Sequence, residues 1–243
     1  MLESLLAGPA TALAVAIALS LLVAWESVYP PWAPYFLIYA GLAIAIPVAA
    51  GTCVFGSPWG TVSGAWREMA LAGAGMACWE IGLFHWVYEV WWLRRIGRAD
   101  DPGLSVPAAI RSLLRLAERR TGIDPARAEL IFAGYTLVWA PIGEEFFYWG
   151  YLFEVTRPAW GFPTASVVTA SLFAFRHAVH FLYLGKRTPF IPAACLALSA
   201  FASGLLNSWL YEQSGSLWPL ILLHILMNLL WVASLKSGNQ RPA

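Results

Sequence analysis

Three stretches in the second half of the chain place polar side chains that could hydrolyse a bond within strongly apolar sequence. They hold the adjacent carboxylates Glu144 and Glu145, then His177, and then His224 followed four residues later by Asn228. An ionisable group at membrane depth is costly, so it marks a site that faces a partner or a water-filled cavity. A carboxylate and imidazoles can activate water, and imidazole and carboxamide groups can stabilise an oxyanion. The combination indicates hydrolysis inside a membrane.

The two adjacent carboxylates are expected to have different roles. Neighbouring residues on an α-helix point about 100° apart, so Glu144 and Glu145 do not aim at one centre. We expect one of them to take part in chemistry and the other to hold a structural partner. Pro141 removes a backbone hydrogen bond just upstream, which would loosen the helix where a substrate approaches. The alternative is that Arg or Trp from neighbouring helices satisfies both carboxylates.

The stretch around His177 adds a second imidazole and a guanidinium. His180 lies one helical turn after His177, and Arg176 needs a carboxylate partner, for which Glu145 and Glu154 are the candidates. A single intramembrane histidine is often bonded to a backbone carbonyl. A His–Asn pair often forms hydrogen bonds between membrane helices, which stabilise their association by about 1 kcal/mol. Polar groups on three separate helices are better explained by one site.

The composition is that of a membrane protein. Hydrophobic residues make up 59% of the 243 residues and charged residues 12%, against about 25% charged in an average soluble domain. A membrane span needs about 20 helical residues. We therefore predict an all-α fold, a polytopic transmembrane helical bundle of about seven spans. The apolar stretches run roughly over 5–25, 34–55, 69–93, 126–155, 164–184, 190–211 and 216–235.

The distribution of charge predicts the organisation and orientation of the chain. We divide it into N-terminal transmembrane helices with a cytoplasmic amphipathic segment (1–125), a catalytic four-helix transmembrane core (126–236) and a short polar tail (237–243). The portion 104–120, between spans three and four, is expected to be a surface helix. Eight Arg lie in 94–127, which places that loop and the C-terminus in the cytoplasm and the N-terminus outside. The net charge of +1 argues against nucleic acid as a partner.

At these positions the chain resembles the CPBP intramembrane proteases, the CAAX-protease and bacteriocin-processing family that includes the eukaryotic Ras-converting CAAX endopeptidase. The family motifs Glu-Glu-x-x-x-Arg, Phe-x-x-x-His and His-x-x-x-Asn match in order at 144–145, 173–177 and 224–228. The resemblance covers roughly 125–235. Trp149 stands where the family has Arg, which is compatible with a bacterial subfamily that processes C-terminal sorting signals, the myxosortase-like group.

The resemblance implies roles for the polar residues. Glu144 would act as general base on a water, assisted by His177, and His224 and Asn228 would donate hydrogen bonds to the oxyanion. Three further residues are expected to support the site: Glu145, Arg176 and His180.

A metal-dependent version would use some of the same residues differently. Glu144, His177 and His224 could hold zinc, which binds nitrogen and oxygen ligands and keeps a position open for water. The chain lacks the His-Glu-x-x-His helix of typical zinc proteases. We therefore expect no cofactor, with zinc as the alternative.

The implied function is an intramembrane endopeptidase that cuts a peptide bond near the C-terminus of a membrane-associated, lipidated or sorting-signal protein. The expected partners are membrane lipid and such a polypeptide, and the expected location is a bacterial inner membrane, crossed several times. The rival class is a non-enzymatic transporter or scaffold in which the polar groups form a relay. Internal repeats would favour transport, and the sequence has none that we detect.

Overall fold

Helices account for all the regular structure that is described. The computed structural model describes residues 6, 8–28, 32–52, 63–98, 122, 124–184 and 190–237. Every regular element in these ranges is a helix, so the all-α prediction is confirmed. The surface helix predicted over 104–120 and most of the polar tail predicted over 237–243 lie outside the described residues.

The described helices are divided between the two halves of the chain. The first half contains α1 (Pro9–Val28), α2 (Trp32–Ala49) and α3 (Trp66–Glu80), and α3 continues in wider π-helical winding over Ile81–Leu93. The second half contains α4 (Pro125–Gly134), α5 (Ala140–Phe147), α6 (Glu154–Leu184), α7 (Phe190–Ser214) and α8 (Trp218–Ser237).

Helix α5 lies between two stretches of π-helical winding. The upstream π segment, Tyr135–Trp139, joins α4 to α5, and the downstream π segment, Tyr148–Phe153, joins α5 to α6. Such winding is rare and occurs frequently at functional sites. Helix α6 is itself broken at Gly161, whose φ of 73° and ψ of 165° turn the chain between two helical parts. Only glycine adopts that backbone conformation readily.

The membrane spans are only partly supported by helix length and hydropathy. Among the described helices, one stretch is long and apolar enough to cross a membrane, Ala194–Ser214 within α7. Two further apolar stretches are shorter, Pro9–Leu22 and Trp218–Leu229. Charged residues lower the hydropathy of the helices around α5. The bundle of about seven spans is therefore not confirmed and stays a prediction.

The core surrounds α5 and the segment that follows it. All residues of the downstream π segment are buried, as are all residues of α5 except Ile142. Helix α2 and helix α8 pack against α5, while α1 and α7 pack against α6. Four helices thus enclose α5 and α6, and one of the four, α8, carries the remaining residues of the predicted site.

Candidate active site

Glu144 forms a buried pair with Arg176. Its side chain lies on α5 with a relative exposure of 2%, and its Oε1 accepts a hydrogen bond from Arg176 Nη1 at 2.7 Å. The other carboxylate oxygen, Oε2, lies 4.0 Å from His177 Nε2. Oε2 is buried and has no hydrogen-bond partner among the described residues. Buried polar atoms nearly always have a protein or water partner, so we expect this oxygen to bond to a water or to a reacting group.

The hydrogen bond of His177 to the backbone determines which ring nitrogen faces Glu144. Nδ1 lies 2.9 Å from the carbonyl oxygen of Phe173, one helical turn earlier. A carbonyl only accepts, so Nδ1 carries the hydrogen, and in the neutral ring Nε2 has a free lone pair. The ring also packs edge-on against the Phe173 ring, with 4.4 Å between centroids. The Nε2 lone pair is thereby held towards the unpartnered oxygen of Glu144.

Glu145 holds the second imidazole. The residue is fully buried, and its Oε1 lies 2.7 Å from His224 Nδ1. Asn207 Nδ2 lies 3.3 Å from each of the two carboxylate oxygens of Glu145. With Nδ1 engaged by Glu145, Nε2 is the remaining nitrogen of His224 that can meet a substrate. The two glutamates therefore form two separate acid–imidazole pairs, as their directions on the helix require.

Asn228 is bonded within the protein. Its Nδ2 donates to the backbone carbonyl of Thr136 at 2.8 Å, in the upstream π segment. One of the two hydrogens of this amide is therefore committed to the helix that leads to α5, and the second is left for another acceptor.

The prediction that Arg176 pairs with Glu145 or Glu154 is wrong. Neither Glu145 nor Glu154 takes its guanidinium, which pairs with Glu144. Glu145 is already satisfied by His224 and Asn207, and Glu154 lies 3.6 Å from Arg157 at the other end of the downstream π segment. The side chain of His180 lies outside the described residues.

Three contacts near the site were not predicted from the sequence. Asn207 holds Glu145, and Trp149, the residue in place of the family arginine, is fully buried and donates from Nε1 to Ser208 Oγ at 3.1 Å. Tyr39 of α2 places its ring 4.9 Å from the Arg176 guanidinium carbon. Asn207 and Ser208 were visible as polar residues in an apolar run, but short polar side chains are common between membrane helices and carry little signal alone.

The residues named for a zinc site are engaged with other partners. Among the described residues, no group of three or more His, Cys, Asp or Glu side chains is arranged to hold a metal ion. Of the three proposed ligands, Glu144 is bonded to a guanidinium cation and His224 to Glu145. The cation beside Glu144 would repel a second one, so these side chains do not form a zinc site in this arrangement.

Comparison with known proteins adds one match. A family model described as "Type II CAAX prenyl endopeptidase Rce1-like" matches residues 126–230. This range holds α4 to most of α8, with both acid–imidazole pairs, and excludes α1, α2 and α3. No curated protein and no solved structure matches the chain significantly.

Proposed function

We propose that the chain hydrolyses a peptide bond near the C-terminus of a membrane-associated polypeptide, because residues 126–230 match the family model of the type II CAAX prenyl endopeptidases. The nucleophile is a water activated by Glu144. The observation that carries this proposal is the unpartnered Oε2 of Glu144 opposite the free nitrogen of His177, at 4.0 Å.

A reacting water fits between these two groups. Hydrogen bonds of about 2.8 Å to both atoms would meet at the water at about 90° when the atoms are 4.0 Å apart. The oxygen of the water attacks the carbonyl carbon, and Glu144 Oε2 takes a proton from the water as it does so. His177 Nε2 accepts a hydrogen bond from the second hydrogen of the water and orients it. The proton then passes from Glu144 to the leaving amine. Arg176 compensates the charge of Glu144 before it takes the proton and again after it has passed the proton on.

The second pair stabilises the tetrahedral intermediate. Glu145 holds His224 through Nδ1, so the protonated ring presents Nε2–H as the donor to the oxyanion. One such donor is typically worth about 10²–10³ in rate. The second hydrogen of the Asn228 amide is available to the same oxyanion.

The substrate is a polypeptide that reaches the site from the membrane. We place the chain in a membrane that it crosses several times, with the 94–127 loop in the cytoplasm, because of the eight arginines there. At about 1.5 Å per residue, Glu144 lies about 28 Å along the helix from Pro125, and His224 about 8 Å past Pro219. The peptide bond of the substrate is therefore cut in the middle or the non-cytoplasmic half of the bilayer. A C-terminal processing or sorting signal of a membrane-associated polypeptide would reach this depth.

Cleavage by substituted enzyme tests the proposal. Purified protein in lipid vesicles is offered two probes, a farnesylated peptide ending in a CAAX sequence and a membrane-anchored peptide with a C-terminal sorting signal. We expect Glu144→Gln to lower kcat by about 10³-fold or more, because it removes the base. The matched control is Glu212→Gln, because Glu212 is an exposed carboxylate that pairs with Arg157. This variant should cleave the probes at the rate of the unchanged protein.

Two outcomes would count against this mechanism. Cleavage of either probe by Glu144→Gln at the unchanged rate would remove Glu144 as the base. Loss of activity on adding a strong chelator, with recovery on adding zinc, would replace the metal-free version by the zinc-dependent one. We expect the chelator to leave kcat unchanged.

A further inference from the structure

The upstream π segment contains a backbone carbonyl whose donor is missing from the sequence. In this segment the N–H of Ala140 donates to the carbonyl of Tyr135, five residues earlier. The same winding would pair the next carbonyl, that of Thr136, with the N–H of residue 141. That residue is Pro141, which has no N–H. A carbonyl left without a donor inside a protein is costly, so it requires another partner.

Asn228 supplies that partner. Its Nδ2 donates to the Thr136 carbonyl at 2.8 Å, across from α8 to the upstream π segment. On α8, His224 lies one turn before Asn228, and it bonds to Glu145 on α5 at 2.7 Å. Two residues one turn apart on α8 thus bond to α5 and to the upstream π segment, and the two contacts together set the position of α8 along its axis and its rotation about it.

We infer that Asn228 is a positioning residue that replaces the backbone donor removed by Pro141 and thereby sets where His224 stands relative to Glu144. The inference rests on the proposed function, since the position of His224 matters for the oxyanion. It assigns to the Pro141–Thr136–Asn228 contact a role separate from direct contact with substrate. The two positions 141 and 228 should therefore depend on each other.

A double-mutant cycle measures this dependence. Pro141→Ala restores a backbone N–H that can bond to Thr136, which makes the Asn228 amide dispensable as its donor. We expect Asn228→Leu alone to lower kcat by a larger factor than it changes KM. It should also lower the unfolding temperature in detergent. In the Pro141→Ala background, the fold-loss of kcat caused by Asn228→Leu should be at least about fivefold smaller.

A neighbouring position on α8 serves as the control. Leu229 is exposed and follows Asn228 directly, so Leu229→Ala should have the same small effect in both backgrounds. If Asn228→Leu does not fold alone, the expected result is that it folds with Pro141→Ala, and failure to fold in both backgrounds contradicts the inference.

The result separates this inference from the proposed function. An equal fold-loss of kcat in both backgrounds, with additive changes in unfolding temperature, would show that Asn228 acts independently of Pro141 and would overturn the inference. The proposed function would survive that result if Glu144→Gln remains inactive. If neither probe is cleaved by any variant, the unfolding temperatures alone decide, and additivity again overturns the inference.

Discussion

Arg176 and Glu144 bring opposite charges together where water is largely excluded. Both residues are buried, and the guanidinium also stacks over the Tyr39 ring at 4.9 Å. Breaking a buried pair by removing one partner is costly because the other charge remains uncompensated, whereas removing both partners costs less. The pair is therefore a condition for keeping a charged carboxylate in this position.

We expect Arg176→Gln to destabilise the protein by about 3–5 kcal/mol, since Glu144 loses its counter-charge. Adding Glu144→Gln should recover a large part of that loss. The measurement is reversible chemical unfolding in detergent. Arg157→Gln is the matched control, because Arg157 pairs with Glu212 at the surface, and such pairs are worth at most about 1 kcal/mol. Equal losses for Arg176→Gln and Arg157→Gln would contradict this account.

The sequence predicted which residue types approach each other, but not their pairing. His177 beside Glu144 follows from polar residues on apolar helices, which must find a common interior. The predicted partner of Arg176 was wrong because Glu144 and Glu145 are adjacent in the sequence. Only the rotation of α5 about its axis decides which of the two carboxylates faces the guanidinium. Asn207 was missed because one amide in an apolar run is as common in helix contacts as in sites. The roles of these residues in catalysis stay predictions.

At the scale of elements, the distance between α6 and α7 determines whether Asn207 reaches Glu145. The two helices lie close together at Gly204, where a Cβ would come within 2.9 Å of the Cα and Cβ of Ala170. One turn later on α7, Ser208 donates back to the Gly204 carbonyl at 3.0 Å and accepts from Trp149. The absence of a side chain at 204 thus lets α7 bring Asn207 to Glu145 on α5 and Ser208 to Trp149 in the downstream π segment.

We expect Gly204→Val to push α7 away from α6 and lower both the unfolding temperature and kcat, because Asn207 and Ser208 move from their partners. An overpacked helix contact typically costs about 1–3 kcal/mol. Gly41→Ala on α2 is the control, since nothing lies within 4 Å of the Cβ it would add. Unchanged cleavage by Gly204→Val would show that the spacing of these helices does not control the site.

Helix type could be predicted from the apolar stretches, because a membrane leaves few alternatives to helices for the backbone. The π-helical segments on either side of α5 could not. Pro141 indicated a missing backbone hydrogen bond in this helix. Whether the unpaired carbonyl of Thr136 then bonds to a water or to a side chain, or the helix bends, depends on the neighbouring helix. That partner is Asn228, 92 residues later.

At the scale of the whole molecule, the site is enclosed by more of the chain than the family model covers. Helix α2 packs against α5 and α1 against α6, although both lie before residue 126. The phenol of Tyr151 donates to the carbonyl of Leu6 at 2.9 Å, which ties the downstream π segment to the start of the chain. Residues 126–230 are therefore expected to need the earlier helices for a closed site.

Accessibility labelling tests the proposed orientation in the membrane. In a variant without the native cysteines, Gln213→Cys should react with a membrane-impermeant maleimide from the non-cytoplasmic side, and Arg127→Cys only from the cytoplasmic side. Both positions are exposed, with Arg127 near the start of α4 and Gln213 near the end of α7. Labelling of Gln213→Cys from the cytoplasm alone would reverse the orientation and, with it, the expected source of the substrate.

The wide winding before α5 has a consequence for how the molecule can be altered. A π-helical stretch holds more residues per turn than an α-helix, so a shortened Tyr135–Trp139 segment could return to ordinary winding. Each residue of an α-helix contributes about 100° of rotation. Deleting one residue from an ordinary α-helix would turn α4 by that angle, whereas a deletion here would be absorbed by the change of winding, so α4 would keep its orientation relative to α5. The Tyr135–Trp139 segment is thus a point at which one residue can be removed without re-orienting the helices on either side of it.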